Sequence, residues 1–344
     1  MKVQENISLK SFNTFGIDSI AKFFVAIKSV EGLKELLFLQ SMRKETKLVL
    51  GGGSNILFTK NYNGLVIKNE IAGIETIKED AEYIYVKVGA GVNWHSFVLH
   101  CIEHNWGGVE NLALIPGTVG AAPIQNIGAY GVELKNVFFS LEAFEINEKV
   151  VHNFSLNDCA FGYRDSVFKN KFKNQFVILS TSFRLRKFPI FNIEYGAIQQ
   201  ELEKNAEKKL SVKTICQAVI NIRKSKLPDP EIIGNAGSFF KNPEISSEEF
   251  EKLKVLFPTI VSYELANGNK KLAAGWLVEQ CGPNAGVTWK GYRVGDAGCH
   301  EKQALVLVNH GNSNGKEIYN LSEAVLETVY QKFGITLERE VNIF

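Results

Sequence analysis

The sequence lacks a strong charge imbalance, since 39 lysines and arginines face 37 acidic residues and leave a net charge of +2. No block of five consecutive basic residues occurs, and a nucleic-acid partner would require a concentrated basic surface. Long apolar runs are also missing. Residues 1–19 mix charged and polar side chains and contain no apolar signal-peptide core. We therefore expect a cytoplasmic protein that neither binds nucleic acid nor inserts into a membrane.

Cysteine is scarce, and its spacing supports no metal knuckle or redox pair. The cysteines are Cys101, Cys159, Cys216, Cys281 and Cys299. Their scatter and odd number fit reduced thiols in a cytosol. The segment from His100 to His104 does match the inverted zinc-peptidase pattern H-x-x-E-H. No third ligand with helical context follows it, so we favour surface histidines, expect no metal, and keep a zinc peptidase as an alternative.

What the sequence does contain is an uncharged stretch, residues 111–132, that prolines and glycines interrupt repeatedly. The prolines exclude one continuous helix and a membrane span. Glycine allows close approach of the main chain and positive φ angles, and rows of backbone N–H groups can hold the anionic oxygens of a diphosphate. Gln125 and Asn126 can both donate and accept, as the edge of a heterocycle requires. The alternative is a tightly turned core segment that binds nothing.

A second glycine-rich turn, Gly51–Asn55, follows a predicted strand at Lys47–Leu50. A Rossmann fingerprint would need G-x-G-x-x-G at the start of a helix. Here residues 56–59 and 65–67 have strand composition instead, and Asn63-Gly64 between them predicts a hairpin turn. The context therefore excludes a Rossmann site.

Two further segments carry polar groups among apolar neighbours. Tyr163-Arg164 with Asp165 is either a structural ion pair or an arginine that Asp165 aligns for an anion. Ser238 lies in a glycine-rich segment without the G-x-S-x-G elbow of a nucleophile, so its composition alone indicates a structural hydroxyl. Between these segments, 211–226 predicts a helix whose final cations favour its dipole, and Leu227–Pro230 predicts a domain boundary.

The C-terminal third predicts alternating helices and strands. A capping box at Ser246 and Glu249 starts one helix, 271–279 predicts another, and 314–333 predicts a long helix ended by Gly334. Residues 335–343 predict a last strand.

Seven segments, taken in order, closely resemble the UDP-N-acetylenolpyruvoylglucosamine reductase (MurB) family of bacterial cell-wall flavoenzymes. They are residues 13–16, 50–55, 111–131, 161–166, 234–243, 273–276 and 337–341. The resemblance covers nearly the whole chain. One departure is Asn342, because many relatives carry arginine directly after the Glu-Val pair; a flavin or carboxylate contact is then lost or supplied from elsewhere.

The resemblance implies an α+β chain with an FAD-binding fold of the vanillyl-alcohol-oxidase (PCMH) type in two subdomains, followed by a C-terminal substrate-binding α+β domain. The expected boundaries are 1–71 with 335–344, then 72–227, then 228–334. The implied cofactor is non-covalent FAD. Its implied contacts are Gly51, Gly52, Gly53, Ser54, Asn55, Ile115, Pro116, Gly117, Thr118, Gly120, Ala121, Gln125, Asn126, Gly128, Tyr130 and Gly131.

The resemblance also implies a reaction. NADPH gives a hydride to FAD, which passes it to the vinyl C3 of UDP-N-acetylglucosamine enolpyruvate and so forms UDP-N-acetylmuramate. Arg164 and Glu340 resemble the pair that stabilises the negative charge, with Glu340 expected to be protonated or sharing a proton. Ser238 matches the proton donor to C2. The substrate contacts implied are Tyr163, Tyr195, Lys226, Asn242, Tyr263, Lys271 and Gln303; Tyr195 indicates the longer, type I branch, and we expect a monomer.

Besides the zinc peptidase, two rival functions stay open at this point. One is an oxidase of the same fold that acts on an alcohol or a sugar lactone. Such enzymes often tether flavin to a histidine near the first glycine-rich turn, and residues 51–55 contain none. The other is a sugar-nucleotide-binding protein without catalytic activity.

Overall fold

The computed structural model describes residues 2–42, 44–204 and 209–344. The chain forms two compact units. The first contains the N-terminal segment to Ile7, Ala21–Gly53 and Asn63–Ser225, and the second contains Ser8–Ile20, Ser54–Tyr62 and Lys226–Phe344. The chain enters the second unit after Ser225, beside the boundary predicted at 227–230. The further division into three domains stays a prediction.

The described elements follow in chain order. The strands are β1 Gln4–Ser8, β2 Ile20–Ile27, β3 Lys47–Leu50, β4 Ile56–Leu57, β5 Tyr62–Asn69, β6 Ile74–Glu79, β7 Tyr83–Gly89, β8 Gly128–Ala129, β9 Val132–Glu133, β10 Phe138–Glu145, β11 Val151–Ser155, β12 Phe176–Arg186, β13 Gly234–Ser238, β14 Glu244–Ile245, β15 Ser262–Glu264, β16 Lys270–Leu272, β17 Arg293–Val294, β18 Ala297–Cys299, β19 Val306–Asn309 and β20 Asn342–Ile343. The helices are α1 Val30–Phe38, α2 Trp94–Glu103, α3 Leu156–Cys159, α4 Gly196–Lys204, α5 Val212–Lys226, α6 Ser247–Leu256, α7 Ala274–Glu279 and α8 Gly315–Phe333. Short 3₁₀ turns occur at Lys10–Phe12, Gln40–Met42, Glu110–Leu112, Ala122–Gln125 and Leu134–Asn136.

The first unit is built on two sheets. One has the order β1-β2-β5-β3, with β3 and β5 parallel, and the other has the order β11-β10-β12-β7-β6 with antiparallel pairs. The apolar face of α1 packs into a core shared by both sheets, which includes Leu36 of α1, Ile67 of β5 and Val177 of β12. A stripe of this kind is what drives an amphipathic helix onto a sheet.

The helix α2 positions the larger core of the first unit. Asn93 caps it, because its side chain accepts a hydrogen bond from the N–H of Ser96 at 2.9 Å. Its buried aromatic rings pack with Phe183 of β12; the centroids of Phe97 and Phe183 lie 4.7 Å apart and those of Trp94 and Phe183 lie 5.9 Å apart. The indole N–H of Trp94 donates to the carbonyl of Leu112 at 2.9 Å, which ties the start of the uncharged stretch to this core.

The second unit contains a β13-β19-β18-β17 sheet, a β14-β16-β15 sheet and the parallel pair β20-β4. The long helix α8 begins with a capping box of Asn314 and Glu317 and ends at Gly334, whose φ of 68° confirms the predicted C-terminal glycine. Among the described residues, no helix is both long and apolar enough to cross a membrane.

Three local predictions were wrong or partly wrong. Asn63-Gly64 is not a hairpin turn, because it lies inside β5, which pairs in parallel with β3, while β4 pairs with β20. The helix predicted from residue 271 starts at Ala274, since residues 270–272 pair on both sides as β16. The strand predicted at 335–343 is reduced to β20, preceded by an isolated bridge between Phe240 and Arg339.

Candidate active site

The two glycine-rich loops of the first unit touch through their main chains. A Cβ atom on Gly52 would lie 2.7 Å from the Cα of Gly117, and one on Gly51 would lie 2.5 Å from the Oγ1 of Thr118. Neither position has room for a side chain, which is the physical reason for glycine there. The ammonium of Lys68 donates to the carbonyl of Gly51 from beneath the first loop, and burial lowers the pKa of this lysine. The structure therefore brings both predicted cofactor loops together.

The second loop is fixed against the segment that leads into α2. The N–H of Val119 donates to the carbonyl of Val92, and the N–H of Gly120 donates to that of Ala90, both at 2.9 Å. A Cβ on Gly120 would lie 2.5 Å from the Cβ of Ala90. This packing holds residues 117–120 rigidly at the N-terminal end of α2.

The uncharged stretch buries two side-chain oxygens for which the described part of the protein supplies no hydrogen-bond partner, Asn111 Oδ1 and Thr118 Oγ1. Thr118 is only 8 % exposed and stands against Gly51. Buried polar atoms are nearly always paired, so an unpaired hydroxyl between two close main-chain loops fits a site that a bound polar group completes. Neutral donors and tightly apposed backbone suit the diphosphate of the predicted FAD.

Asn126 supports the loop from within. It is fully buried, its amide donates to Glu133 at 3.1 Å and to the carbonyl of Gly162 at 2.9 Å, and its Oδ1 accepts from the N–H of Lys135 at 3.1 Å. Its φ of 43° lies in the left-handed region, which asparagine tolerates better than most residues. The side chain is thus used inside the protein; its predicted contact with the cofactor stays a prediction.

Asn126→Ala should lower the free energy of unfolding by about 2–4 kcal/mol, because it leaves buried hydrogen-bond partners unsatisfied and places alanine at a left-handed φ. Urea denaturation of the apo-protein measures this loss. Asn157→Ala, at an exposed position of α3, is the matched control and should stay within about 0.5 kcal/mol of the wild type. Equal stability of both variants would show that Asn126 does not hold the loop.

Arg164 projects from the loop that Asn126 secures. Its φ is 51°, and its guanidinium donates to the carbonyl of Gly128 at 2.7 Å. Asp165 does something else, since both of its carboxylate oxygens accept from the amide of Asn170, at 2.8 and 2.9 Å. The hydroxyl of Ser166 donates to the carbonyl of Ile124 at 2.6 Å. This is a second bond, beside that of Asn126, between the loop that carries Arg164 and the uncharged stretch. Strained backbone at such a position is typical of functional sites.

Ser238 ends β13 in the second unit, next to an irregularity of the sheet. Asn235 pairs with Val308 and Ser238 pairs with Val306, so the register shifts between them. The shift accommodates Gly237, whose φ is 69° and whose N–H donates to the side chain of Asn235 at 3.0 Å. Bulges re-aim side chains next to active sites, and this one sets the direction of the half-buried Ser238 hydroxyl.

The structure places Glu340 beside the residue that follows Ser238. The N–H of Glu340 donates to the carbonyl of Phe239 at 2.8 Å, and the amide of Asn55 donates to the carbonyl of Glu340 at 3.1 Å. Asn342, the departure from the family pattern, donates from its side chain to the carbonyl of Asn55 at 3.0 Å. Its short amide therefore stabilises the Asn55 turn locally.

Four of the predicted substrate contacts gather around the N-terminus of α7. Tyr263 and Lys271 are cross-strand partners in β15 and β16. Asn242 accepts from the N–H of Ala274 at 2.9 Å, and a Cβ on Gly275 would lie 2.8 Å from the Oε1 of Gln303. Tyr263 is half exposed, which leaves its ring accessible.

The remaining predicted contacts lie elsewhere. Lys226 is the exposed last residue of α5. Tyr195 lies in the first unit, where its ring meets that of Tyr130 edge-on with the ring centroids 5.2 Å apart. The ring of Tyr163 contacts the Arg164 guanidinium, and the central carbon of the guanidinium lies 5.4 Å from the centroid of the Tyr163 ring.

The histidines of α2 form a ring stack. His104 stacks on Trp106 with centroids 4.6 Å apart, and its Nδ1 lies 2.8 Å from the carbonyl of His100. Within residues 2–42, 44–204 and 209–344, no group of three potential ligands could hold a metal ion.

Sequence reasoning missed Lys68, His95 and Arg223. Arg223 donates from Nε to the carbonyl of Leu114 at 3.2 Å, and His95 accepts at Nδ1 from the N–H of the same residue at 3.0 Å. A cation at the C-terminal end of a helix is already explained by the helix dipole. The sequence therefore gave no reason to expect a contact between Arg223 and Leu114.

Comparison with known proteins gives two matching families. Residues 21–152 match the FAD-binding-domain family, and residues 229–344 match the family described as the C-terminal domain of UDP-N-acetylenolpyruvoylglucosamine reductase. A solved structure of that reductase from Thermus caldophilus aligns with a TM-score of 0.66 at 23 % identity, over 100 % of this chain and 99 % of the other, and so supports the fold.

Full-length relatives are more similar in sequence. The UDP-N-acetylenolpyruvoylglucosamine reductases of Amoebophilus asiaticus and Flavobacterium johnsoniae are 52 % and 48 % identical to this chain; the alignments cover 100 % of it and 99 % and 100 % of the relatives. The fold and the glycine-lined cradle thus define an FAD-binding protein of the vanillyl-alcohol-oxidase (PCMH) type with an additional C-terminal domain. The chain belongs to the UDP-N-acetylenolpyruvoylglucosamine reductase family, which confirms the resemblance first identified in its motifs.

Proposed function

We propose that this protein uses FAD to reduce UDP-N-acetylglucosamine enolpyruvate to UDP-N-acetylmuramate with NADPH, a step in peptidoglycan precursor synthesis. Full-length identity of 52 % to a relative of that name supports the activity. The structural observation that carries the proposal is the arrangement of the second unit, where the bulge at Ser238 and the segment of Glu340 are hydrogen-bonded neighbours.

FAD is the cofactor, and the cradle of the first unit fits it. Gly51, Gly52 and Gly117 allow the main chains of the two loops to approach each other closely. The buried Thr118 hydroxyl, which has no hydrogen-bond partner among the described residues, indicates that a bound polar group completes the site. We assign the phosphate-holding role to these neutral donors, with the predicted contacts at Gln125 and Gly131 completing the cradle. When bound, FAD carries a hydride from NADPH to C3 of the enolpyruvyl ether.

Ser238 is proposed to donate the proton that completes the reduction at C2. A serine hydroxyl is a very weak acid, so it can protonate only a strongly basic, carbanion-like carbon. The register shift in β13 fixes the backbone on which this hydroxyl sits, and a fixed donor needs little reorganisation during the reaction. The proton leaves the hydroxyl oxygen and forms the new C–H bond at C2.

Arg164 and Glu340 are proposed to stabilise the negative charge that develops on the substrate carboxylate. The bond from Arg164 to the Gly128 carbonyl holds the guanidinium in one orientation, which is the condition for electrostatic preorganisation. Glu340 would act as a hydrogen-bond donor in its protonated form, because an ionised carboxylate would oppose the charge.

The uridine diphosphate and the sugar are assigned to a set of polar residues. In the second unit Asn242, Tyr263, Lys271 and Gln303 surround the start of α7, and a lysine with neutral donors there suits a diphosphate. Tyr163, Tyr195 and Lys226 are proposed as further substrate contacts.

We propose that the protein acts as a monomer in the cytoplasm. All five cysteines are buried and free, and burial raises the pKa of Cys159 and Cys299 to about 12. Thiols of this kind are stable in a reducing compartment.

Product analysis tests the activity. The purified protein, FAD, NADPH and UDP-N-acetylglucosamine enolpyruvate are incubated without oxygen, and UDP-N-acetylmuramate is detected by mass spectrometry. We expect one product molecule for each NADPH oxidised. A protein that instead oxidises alcohols or sugar lactones with oxygen, and forms no muramate, would support the oxidase and refute the proposal.

A further inference from the structure

Within the uncharged stretch, residues 115–129 contain the second cofactor loop. A residue with strained backbone lies at each end of this segment. Leu114 has a φ of 57° and Tyr130 has a φ of 49°. Left-handed backbone is unfavourable for side chains of this size, and it persists only where surrounding contacts hold it. The segment 115–129 therefore begins and ends at positions that need external support.

One side chain contacts both of these ends. Arg223 of α5 donates from Nε to the carbonyl of Leu114 at 3.2 Å. Its side chain also lies close enough to the Tyr130 hydroxyl for the two groups to interact, and the positive charge of Arg223 acts to lower the pKa of Tyr130. A guanidinium has several N–H donors in one rigid plane, so it can serve two acceptors at fixed positions in a way that a lysine cannot.

Neighbouring groups reinforce this contact. The N–H of Leu114 donates to Nδ1 of His95 at 3.0 Å, and only a neutral imidazole can accept there. Burial lowers the pKa of His95, and the charges of Arg223 and Lys224 lower it further, so the acceptor form is favoured. The amide of Asn111 donates to the carbonyl of Tyr130 at 3.0 Å. Each end is thus held through its main chain as well as through Arg223.

We propose that Arg223 is a positioning residue that clamps both ends of the 115–129 segment and thereby sets the affinity of the protein for FAD. The inference rests on the proposed function. The clamp acts through Leu114 and Tyr130: with both ends held, the segment keeps Gly117 and Thr118 against the first glycine-rich loop before the cofactor arrives. Preorganisation of this kind strengthens binding, because the ordering cost is not incurred on association.

The test compares four single variants of the full-length protein and one double variant, which combines Tyr130→Phe with Arg223→Met. Arg223→Met removes the interactions with both ends at similar volume, Arg223→Lys keeps the charge without the planar fork, and Tyr130→Phe removes the hydroxyl with which Arg223 interacts at one end. Lys224→Met is the matched control, since it removes the neighbouring, exposed charge that also acts on His95. Apo-protein is titrated with FAD, and binding is followed by the quenching of flavin fluorescence. Circular dichroism and thermal unfolding of each apo-variant verify that it folds.

We expect Arg223→Met to raise the dissociation constant for FAD by about tenfold or more, as the loss of a charged hydrogen bond implies. Arg223→Lys should recover only part of the affinity, and Lys224→Met should stay within about twofold of the wild type. In the double variant, Tyr130→Phe should add little to Arg223→Met, because both remove the same contact. At saturating FAD, the turnover of the Arg223→Met variant and its KM for NADPH should return to near wild-type values.

Three results would overturn the clamp: an unchanged FAD affinity in Arg223→Met, full rescue by Arg223→Lys, or a loss of turnover that saturating FAD does not restore. The last would place Arg223 on the reacting groups themselves. Failure of the proposed function has a different signature, since the wild type itself would then bind no FAD or form no muramate.

Discussion

Ser238→Ala should leave the oxidation of NADPH intact and slow product formation by about 10²- to 10⁴-fold, the range that a positioned proton donor contributes. The substitution removes the hydroxyl and leaves unchanged the main-chain bonds that place residue 238 in β13. The two half-reactions should therefore separate: the flavin bleaches with NADPH at the wild-type rate and recovers its colour slowly with the enolpyruvyl substrate. Anaerobic stopped-flow absorbance measures both rates.

Ser238→Cys is the control for this prediction, because a thiol occupies the same position and still carries a transferable proton. It should recover part of the product-forming rate, whereas its rate of bleaching should match the wild type. If both half-reactions slowed equally in Ser238→Ala, Ser238 would be a structural residue, and the assignment of the proton donor would fail.

Gly52→Ala should weaken the binding of FAD. The new methyl group would lie 2.7 Å from the Cα of Gly117, a main-chain atom that cannot rotate away, so the two loops must separate. Overpacking of this kind costs about 1–3 kcal/mol, and the same free energy taken from binding corresponds to about a five- to 150-fold loss of affinity. Titration of the apo-variant with FAD measures the loss.

Gly196→Ala provides the matched glycine substitution in the same unit. No atom lies within 4 Å of a Cβ at this position, at the start of α4. Alanine there should be neutral or slightly stabilising and should not change FAD affinity. An affinity of Gly52→Ala equal to that of Gly196→Ala would mean that the contact of the two loops does not form the cofactor cradle.

Elements whose ends are fixed by local signals could be predicted from the sequence. Ser246 caps the helix that follows, as predicted, since a cap depends on residues three positions away, and Asn314 caps the helix predicted to begin at that residue. The prediction of a hairpin at Asn63-Gly64 was wrong because strand pairing depends on residues that are distant in the sequence. The strand after it finds its partner in β3, some 20 residues earlier, and turn propensity carries no information on such a pairing.

In the candidate site, too, the sequence predicted the features that depend on local residues and not those that depend on distant contacts. Glycine density marked both cofactor loops, yet only the fold shows that Gly52 meets Gly117 across a sequence separation that no periodicity measures. The local composition around Ser238 indicated a structural hydroxyl. Glu340 lies about 100 residues further along the chain, and a main-chain hydrogen bond to Phe239 places it next to Ser238. The family motifs supplied what local physical reasoning could not.

The most direct measurement is the absorption spectrum of the purified protein through one anaerobic cycle. The protein should be yellow, NADPH should bleach the flavin bands, and UDP-N-acetylglucosamine enolpyruvate should restore them without oxygen. A colourless protein that takes up no FAD on reconstitution, or a bleached flavin that the enolpyruvyl substrate leaves unchanged, would contradict the account.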